Sequence, residues 1–122
     1  MADEFTSLTK EISKSVGEIR KGMPALMEGF STLATEATRD DVLDKKTKEL
    51  IALAIGVATH CDGCIGFHTR TLVKLGATRE EVLETLGVTI YMGGGPSLMY
   101  AADAVRAFDE FSAPRGDGRR EA

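Results

Sequence analysis

The chain has 122 residues, of which 28% are charged and 43% hydrophobic, a composition typical of one globular domain rather than of a disordered chain. Basic residues number 15 and acidic residues 19, giving a net charge of -4, which argues against nucleic acid as a partner. The first residues lack the basic and apolar regions of a secretory signal. The longest apolar run, 50–58, is about half of what spans a bilayer. We therefore expect a cytoplasmic protein with no membrane partner.

Apolar residues recur at helical spacing through most of the chain, which predicts an all-α protein of about six helices. The first helix spans about 4–20 and ends near Gly22. Pro24 can occupy the first turn of a second helix that fades by Thr38. Asp44 is a candidate cap for a third helix that runs to about Thr59. The second half of that helix is apolar on all sides, so we expect it inside a bundle or an oligomer.

The second half of the chain contains three further predicted helices. The fourth runs from about 62 to 75 and stops at Gly76, a residue suited to the left-handed position after a helix. Thr78 and Glu81 form a capping-box pattern that opens a fifth helix through roughly Tyr91. Residues 93–96 break the chain, and Ser97 is the predicted cap of a sixth helix. Residues 1–112 thus form one predicted domain, and 113–122 a disordered tail.

Cys61 and Cys64, the only cysteines of the chain, lie three residues apart at the start of the predicted fourth helix. Two cysteines are too few for a disulfide-stapled secreted fold, so their spacing indicates redox chemistry or metal binding. The unpaired N–H groups and the positive dipole end of a helix N-terminus favour a thiolate there. His68 lies one helical turn beyond Cys64 on the same face, where an imidazole can take the thiol proton.

Glu49 precedes the apolar run of the third helix, where neighbouring helices are expected to cover it. A buried carboxylate is costly unless it is hydrogen-bonded. Its natural partner is His68, which it could hold in one tautomer or supply with protons. A solvated carboxylate in the first turn of a helix is an equally simple interpretation of Glu49 alone.

Zinc binding is the main chemical alternative at the cysteine pair. Cys61, Cys64, His68 and His60 could supply ligands, but structural zinc sites generally draw a second ligand pair from a distant segment, which this sequence lacks. Covalent haem attachment is excluded because Ile65 stands where a histidine would have to follow the second cysteine. His60 itself is simply explained as a residue that ends a helix.

The sequence resembles the carboxymuconolactone decarboxylase-like family, and within it the alkyl hydroperoxidase D (AhpD) group. The resemblance covers roughly residues 22–111 and rests on Glu49, the Cys61-x-x-Cys64 pair and His68, together with the segments 44–54 and 75–82 around them. The chain differs from AhpD at Gly63, where AhpD carries a histidine just before its second cysteine.

This resemblance implies an all-α fold that assembles into homotrimers or homohexamers. It also implies that Cys64 attacks a small hydroperoxide or disulfide substrate, activated by a proton relay through His68 and Glu49. Cys61 would resolve the sulfenic acid as a disulfide, which a dithiol electron donor reduces again. This chemistry requires no cofactor and no metal. Two alternatives stay open: a lyase acting on a small lactone, and a non-enzymatic oligomer that senses redox state or binds metal.

Overall fold

The computed structural model describes residues 3–114, and within that range the chain folds into six α-helices without a β-strand. The all-α prediction is therefore confirmed. No helix in residues 3–114 is long and apolar enough to cross a membrane. The helices are α1 (Glu4–Gly22), α2 (Pro24–Thr38), α3 (Lys45–Ala58), α4 (Asp62–Lys74), α5 (Arg79–Gly93) and α6 (Gly95–Ser112).

Local side-chain chemistry sets several of these boundaries. The Asp44 carboxylate accepts the backbone N–H of Thr47 at 2.7 Å, and hydrogen bonds from Thr47 hold the pKa of Asp44 below its usual value. Thr78 and Glu81 form the predicted capping box. Lys46, hydrogen-bonded to Glu81 at 2.8 Å, lowers the pKa of that carboxyl group. The caps therefore also link the start of α3 to the start of α5.

The predicted start of α6 at Ser97 is wrong. The helix begins at Gly95, and the capping position is Gly94, whose φ of 77° is the left-handed conformation that glycine adopts freely. Pro96 has a fixed φ that suits the first turn, so the helix begins before Ser97. Ser97 is instead buried in that turn, 1% exposed. In the predicted tail, Ala113 and Pro114 follow α6, and 115–122 lie outside the described residues.

The core lies where α4 is surrounded by α1, α3 and α6. Its members are buried apolar side chains that come from five of the six helices. Burial of side chains of this kind is worth about 1.5–3 kcal/mol each. The core includes Phe5, Leu53, Ile65, Leu72, Leu86 and Phe111.

Two apolar surfaces remain exposed on the protomer. The helix α2 has no buried residue, and its apolar stripe, here called the α2 stripe, consists of Leu26, Phe30 and Leu33, each more than half exposed. A groove of about 480 Å³ between α3 and α5, here called the α3–α5 groove, has Ile51 and Val88 in its wall. The prediction placed α3 inside a bundle or an oligomer; within the protomer one face of the helix packs against α4, and the face in this groove is exposed.

Candidate functional site

The two cysteines lie at the turn between α3 and α4. Cys61 is the N-cap residue of α4, and its Sγ accepts the backbone N–H of Cys64 at 3.2 Å. The two residues are joined by a disulfide, with their Cα atoms 5.2 Å apart. The first turn of a helix brings positions i and i+3 together, so the Cys-x-x-Cys spacing alone produces this proximity. The structure thus represents the oxidised form of the pair.

Gly56 allows α3 to approach α4 closely at the level of the disulfide. A Cβ atom at position 56 would lie 2.8 Å from the Cβ of Cys64, closer than two carbon atoms pack without repulsion. Cys64 therefore lies directly against the backbone of α3, and this contact fixes the spacing of the two helices beside the sulfur atoms.

Glu49 and His68 form a second pair on the same two helices. Nδ1 of His68 lies 2.6 Å from Oε1 of Glu49, and Glu49 is only 4% exposed. A short contact of this kind orients the imidazole; in the tautomer whose Nδ1–H donates to the carboxylate, Nε2 is the nitrogen left to exchange a proton. The prediction that Glu49 is buried and bonded to His68 is confirmed; the catalytic roles of both residues remain predictions.

The dyad of Glu49 and His68 borders a cavity of about 470 Å³ that is open to solvent. The end of α2, the loop after it and the first residue of α3 form the far wall, which includes Thr38, Arg39 and Lys45. Nζ of Lys45 donates to Oγ1 of Thr38 at 3.3 Å. Neither cysteine is among the residues that line this cavity. The cavity is the size of many small-molecule sites, and its wall includes polar and charged side chains besides the dyad.

Sequence reasoning missed the residues of this far wall. Arg39 belongs to a charged cluster that is most simply interpreted as solvated surface, and its guanidinium does pair with the exposed Glu36 at 3.3 Å. No local pattern shows that α2 folds back over the start of α3. The only sequence signal for this wall was that Arg39 and Lys45 flank the loop between α2 and α3.

The structure places the four predicted site residues in two bonded pairs, Cys61 with Cys64 and Glu49 with His68. Cys64 and His68 share a face of α4 one turn apart, as expected from their spacing. The helix N-terminus favours a thiolate at both cysteines, and the backbone N–H of Cys64 donates to the sulfur of Cys61. What distinguishes Cys64 is therefore its spacing to His68. Within residues 3–114, no three His, Cys, Asp or Glu side chains are grouped so that they could hold a metal ion.

The fold and the site together define a class of small all-α proteins with a disulfide-forming cysteine pair and a histidine bonded to a buried glutamate on the same two helices. The sequence profile described as "Carboxymuconolactone decarboxylase family" matches residues 24–107, and the chain belongs to this family.

Two solved structures of the family resemble the chain. A carboxymuconolactone decarboxylase family protein of Legionella pneumophila, in its apo form, is 65% identical and superposes with a TM-score of 0.90, covering 91% of this chain and 99% of that one. A family protein of Thermotoga maritima, suggested to take part in an antioxidative response, is 32% identical with a TM-score of 0.66, covering 70% of this chain and 89% of that one.

Two further proteins are similar to the chain in sequence. An uncharacterized protein of Cupriavidus necator is 39% identical over 113 residues, which are 93% of this chain and 100% of that protein. The alkyl hydroperoxide reductase AhpD of Mycobacteroides abscessus is 36% identical over 52 residues, which are 43% of this chain and 30% of AhpD.

Proposed function

We propose that this protein is a thiol-dependent oxidoreductase that reduces hydroperoxides with the Cys61–Cys64 pair. The observation that carries the proposal is the position of the pair at the N-terminus of α4, one turn from a histidine bonded to a buried glutamate. The antioxidative response suggested for the Thermotoga relative and the partial similarity to AhpD support it. A reducing cytoplasm would supply the dithiol electron donor.

The proposed cycle begins with reduction of the disulfide by a dithiol donor, which leaves two thiols. His68 takes the proton of Cys64, and the thiolate attacks the terminal oxygen of the hydroperoxide. An S–O bond forms and the O–O bond breaks, giving a sulfenic acid on Cys64 and an alcohol that receives the proton back from His68. The thiol of Cys61 then attacks the Cys64 sulfur, which restores the disulfide and releases water.

Glu49 acts in this cycle through the orientation and charge of His68. When His68 holds the thiol proton, the imidazolium lies against the carboxylate at 2.6 Å, and burial of Glu49 strengthens their attraction. The ring nitrogen that exchanges the proton is then held in one direction throughout the cycle.

The experiment that tests the function starts with fully reduced protein and one equivalent of cumene hydroperoxide. We expect about one equivalent of peroxide to be consumed per chain and the protein mass to fall by two hydrogens, with the disulfide assigned to Cys61 and Cys64 by peptide mapping. Added dithiothreitol should make the consumption catalytic. Peroxide loss at the rate of buffer alone would contradict the proposal.

A second candidate function is a lyase that acts on a small lactone. The observation in its favour is that Glu49 and His68 line the cavity and the cysteines do not. The dyad could then serve as acid and base on a bound molecule without help from the thiols.

We further propose that the protein is a homotrimer or homohexamer that buries the α2 stripe and the α3–α5 groove. A helix without buried residues gains little from packing within its own protomer. The exposed apolar side chains of both surfaces are of the kind that obligate interfaces cover. A second copy of the chain would supply the missing contacts for α2, which also forms part of the cavity wall.

Phe30→Asp should shift the protein to smaller species, because Phe30 is 61% exposed in the middle of the α2 stripe and a buried unpaired carboxylate opposes association. The mass is measured by light scattering during size-exclusion chromatography. The matched control is Val42→Asp, at a residue 96% exposed in the loop after α2, which should keep the wild-type mass. A monomeric wild type, or a Phe30→Asp variant of unchanged mass, would contradict an interface at this helix.

A further inference from the structure

We propose that His60 is a positioning residue for Cys61, which it holds within reach of Cys64 by stacking on Tyr100. The inference rests on the proposed function only in requiring that the cysteine pair cycle between dithiol and disulfide. His60 directly precedes Cys61 in the turn between α3 and α4.

The backbone at His60 adopts an uncommon conformation. Its φ is 58°, and it is the one non-glycine residue of residues 3–114 with a positive φ. The N–H of His60 bonds the carbonyl of Val57 at 3.1 Å, and the N–H of Cys61 bonds that of Gly56 at 2.9 Å. These two bonds form a Schellman motif, in which the left-handed position is usually glycine. Glycine would suit this position better, so the backbone conformation alone does not account for a histidine here.

The imidazole contributes a contact with α6. The rings of His60 and Tyr100 stack in parallel, with centroids 4.5 Å apart and an angle of 6° between their planes. Tyr100 packs against the hydrophobic core, so the stack ties the turn to a rigid element of the fold. Without this contact, hydrogen bonds to α3 would be the principal restraint on the turn.

A restrained turn favours the disulfide because it keeps the two thiols close in the reduced protein. Cys61 follows the stacked residue by one position, and its sulfur also accepts the N–H of Cys64. Preorganising the reacting groups raises the effective concentration of one thiol toward the other. Loss of the ring stack should therefore weaken the disulfide relative to the dithiol.

The test uses His60→Gly, which keeps a residue suited to the left-handed turn but removes the ring. The equilibrium constant for disulfide formation is measured in dithiothreitol redox buffers, with circular dichroism and thermal melting to verify folding. We expect it to fall about tenfold, so that the reduction potential rises by about 30 mV. Tyr100→Leu should produce a similar shift, and the double variant little more than either single change.

An unchanged equilibrium constant in folded His60→Gly would overturn the proposal. Fully additive shifts in the double variant would also overturn it, because they would show that the two rings act independently. The equilibrium measurement requires no peroxide, so it tests the role of His60 even if the protein does not reduce hydroperoxides. A wild type that forms no reversible disulfide would instead contradict the proposed function.

Discussion

Cys64→Ser should abolish hydroperoxide consumption, whereas reduced Cys61→Ser should consume about one equivalent and stop at the sulfenic acid, without forming the disulfide that the wild type forms. A serine hydroxyl in place of the Cys64 thiol is too weak a nucleophile at neutral pH to replace a thiolate. In Cys61→Ser the first step survives, but the sulfenic acid on Cys64 has no resolving thiol. Peroxide loss is followed over time, and the sulfenic acid is trapped with dimedone and located by mass spectrometry.

The opposite outcome has a clear meaning. Trapped sulfenic acid on Cys61 in the Cys64→Ser variant would reverse the assigned roles, which is chemically possible because the N–H of Cys64 is directed at the Cys61 sulfur. Equal consumption by wild type and a double serine variant would remove both thiols from the reaction. Conversion of a carboxylated lactone by that double variant would establish the lyase as the better description.

Glu49→Gln should lower the rate of hydroperoxide reduction by about 10²–10⁴-fold, the usual contribution of a general acid or base. The amide keeps the size of the carboxylate and can still hydrogen-bond Nδ1 of His68. It provides no negative charge opposite an imidazolium, so proton uptake from Cys64 becomes unfavourable. The rate of thiol alkylation as a function of pH reports the same loss without peroxide, as a shift of its midpoint to higher pH.

The control for this substitution is Glu84→Gln, the same chemical change at an exposed position on α5. Its rates and alkylation profile should match those of the wild type. Wild-type behaviour of folded Glu49→Gln in both measurements would show that the 2.6 Å contact with His68 is structural only.

The features that the sequence predicted well depend on neighbouring residues. The caps at Asp44 and Thr78 and the left-handed glycine at Gly76 involve contacts within a few residues, and all three appear in the structure. The pairing of Cys61 with Cys64 is also local, since helix geometry brings the two together. Even the contact between Glu49 and His68 follows once α3 and α4 are antiparallel neighbours.

The features that the sequence did not predict depend on how distant segments pack. An all-apolar stretch indicates burial but does not tell whether its own chain or another molecule covers it, so the sequence did not predict that Ile51 and Ile55 are exposed on the protomer rather than covered by its own bundle. The far wall of the cavity likewise depends on where α2 lies against α3. At α6, the preference of Pro96 for a first helical turn outweighed the capping preference of Ser97.

The close contact between Gly56 and Cys64 fixes the position of α3 along α4, and therefore the relative positions of the site residues on the two helices. Glu49 precedes Gly56 by seven residues on α3, and His68 follows Cys64 by four residues on α4. Seven residues are close to two helical turns and four residues are close to one. Glu49 therefore lies on the same side of α3 as Gly56, and His68 on the same side of α4 as Cys64, so Glu49 and His68 face each other where the two helices meet. One residue inserted into either segment would rotate one partner by about 100° away from it. Changes of chain length between these positions would therefore separate the site residues.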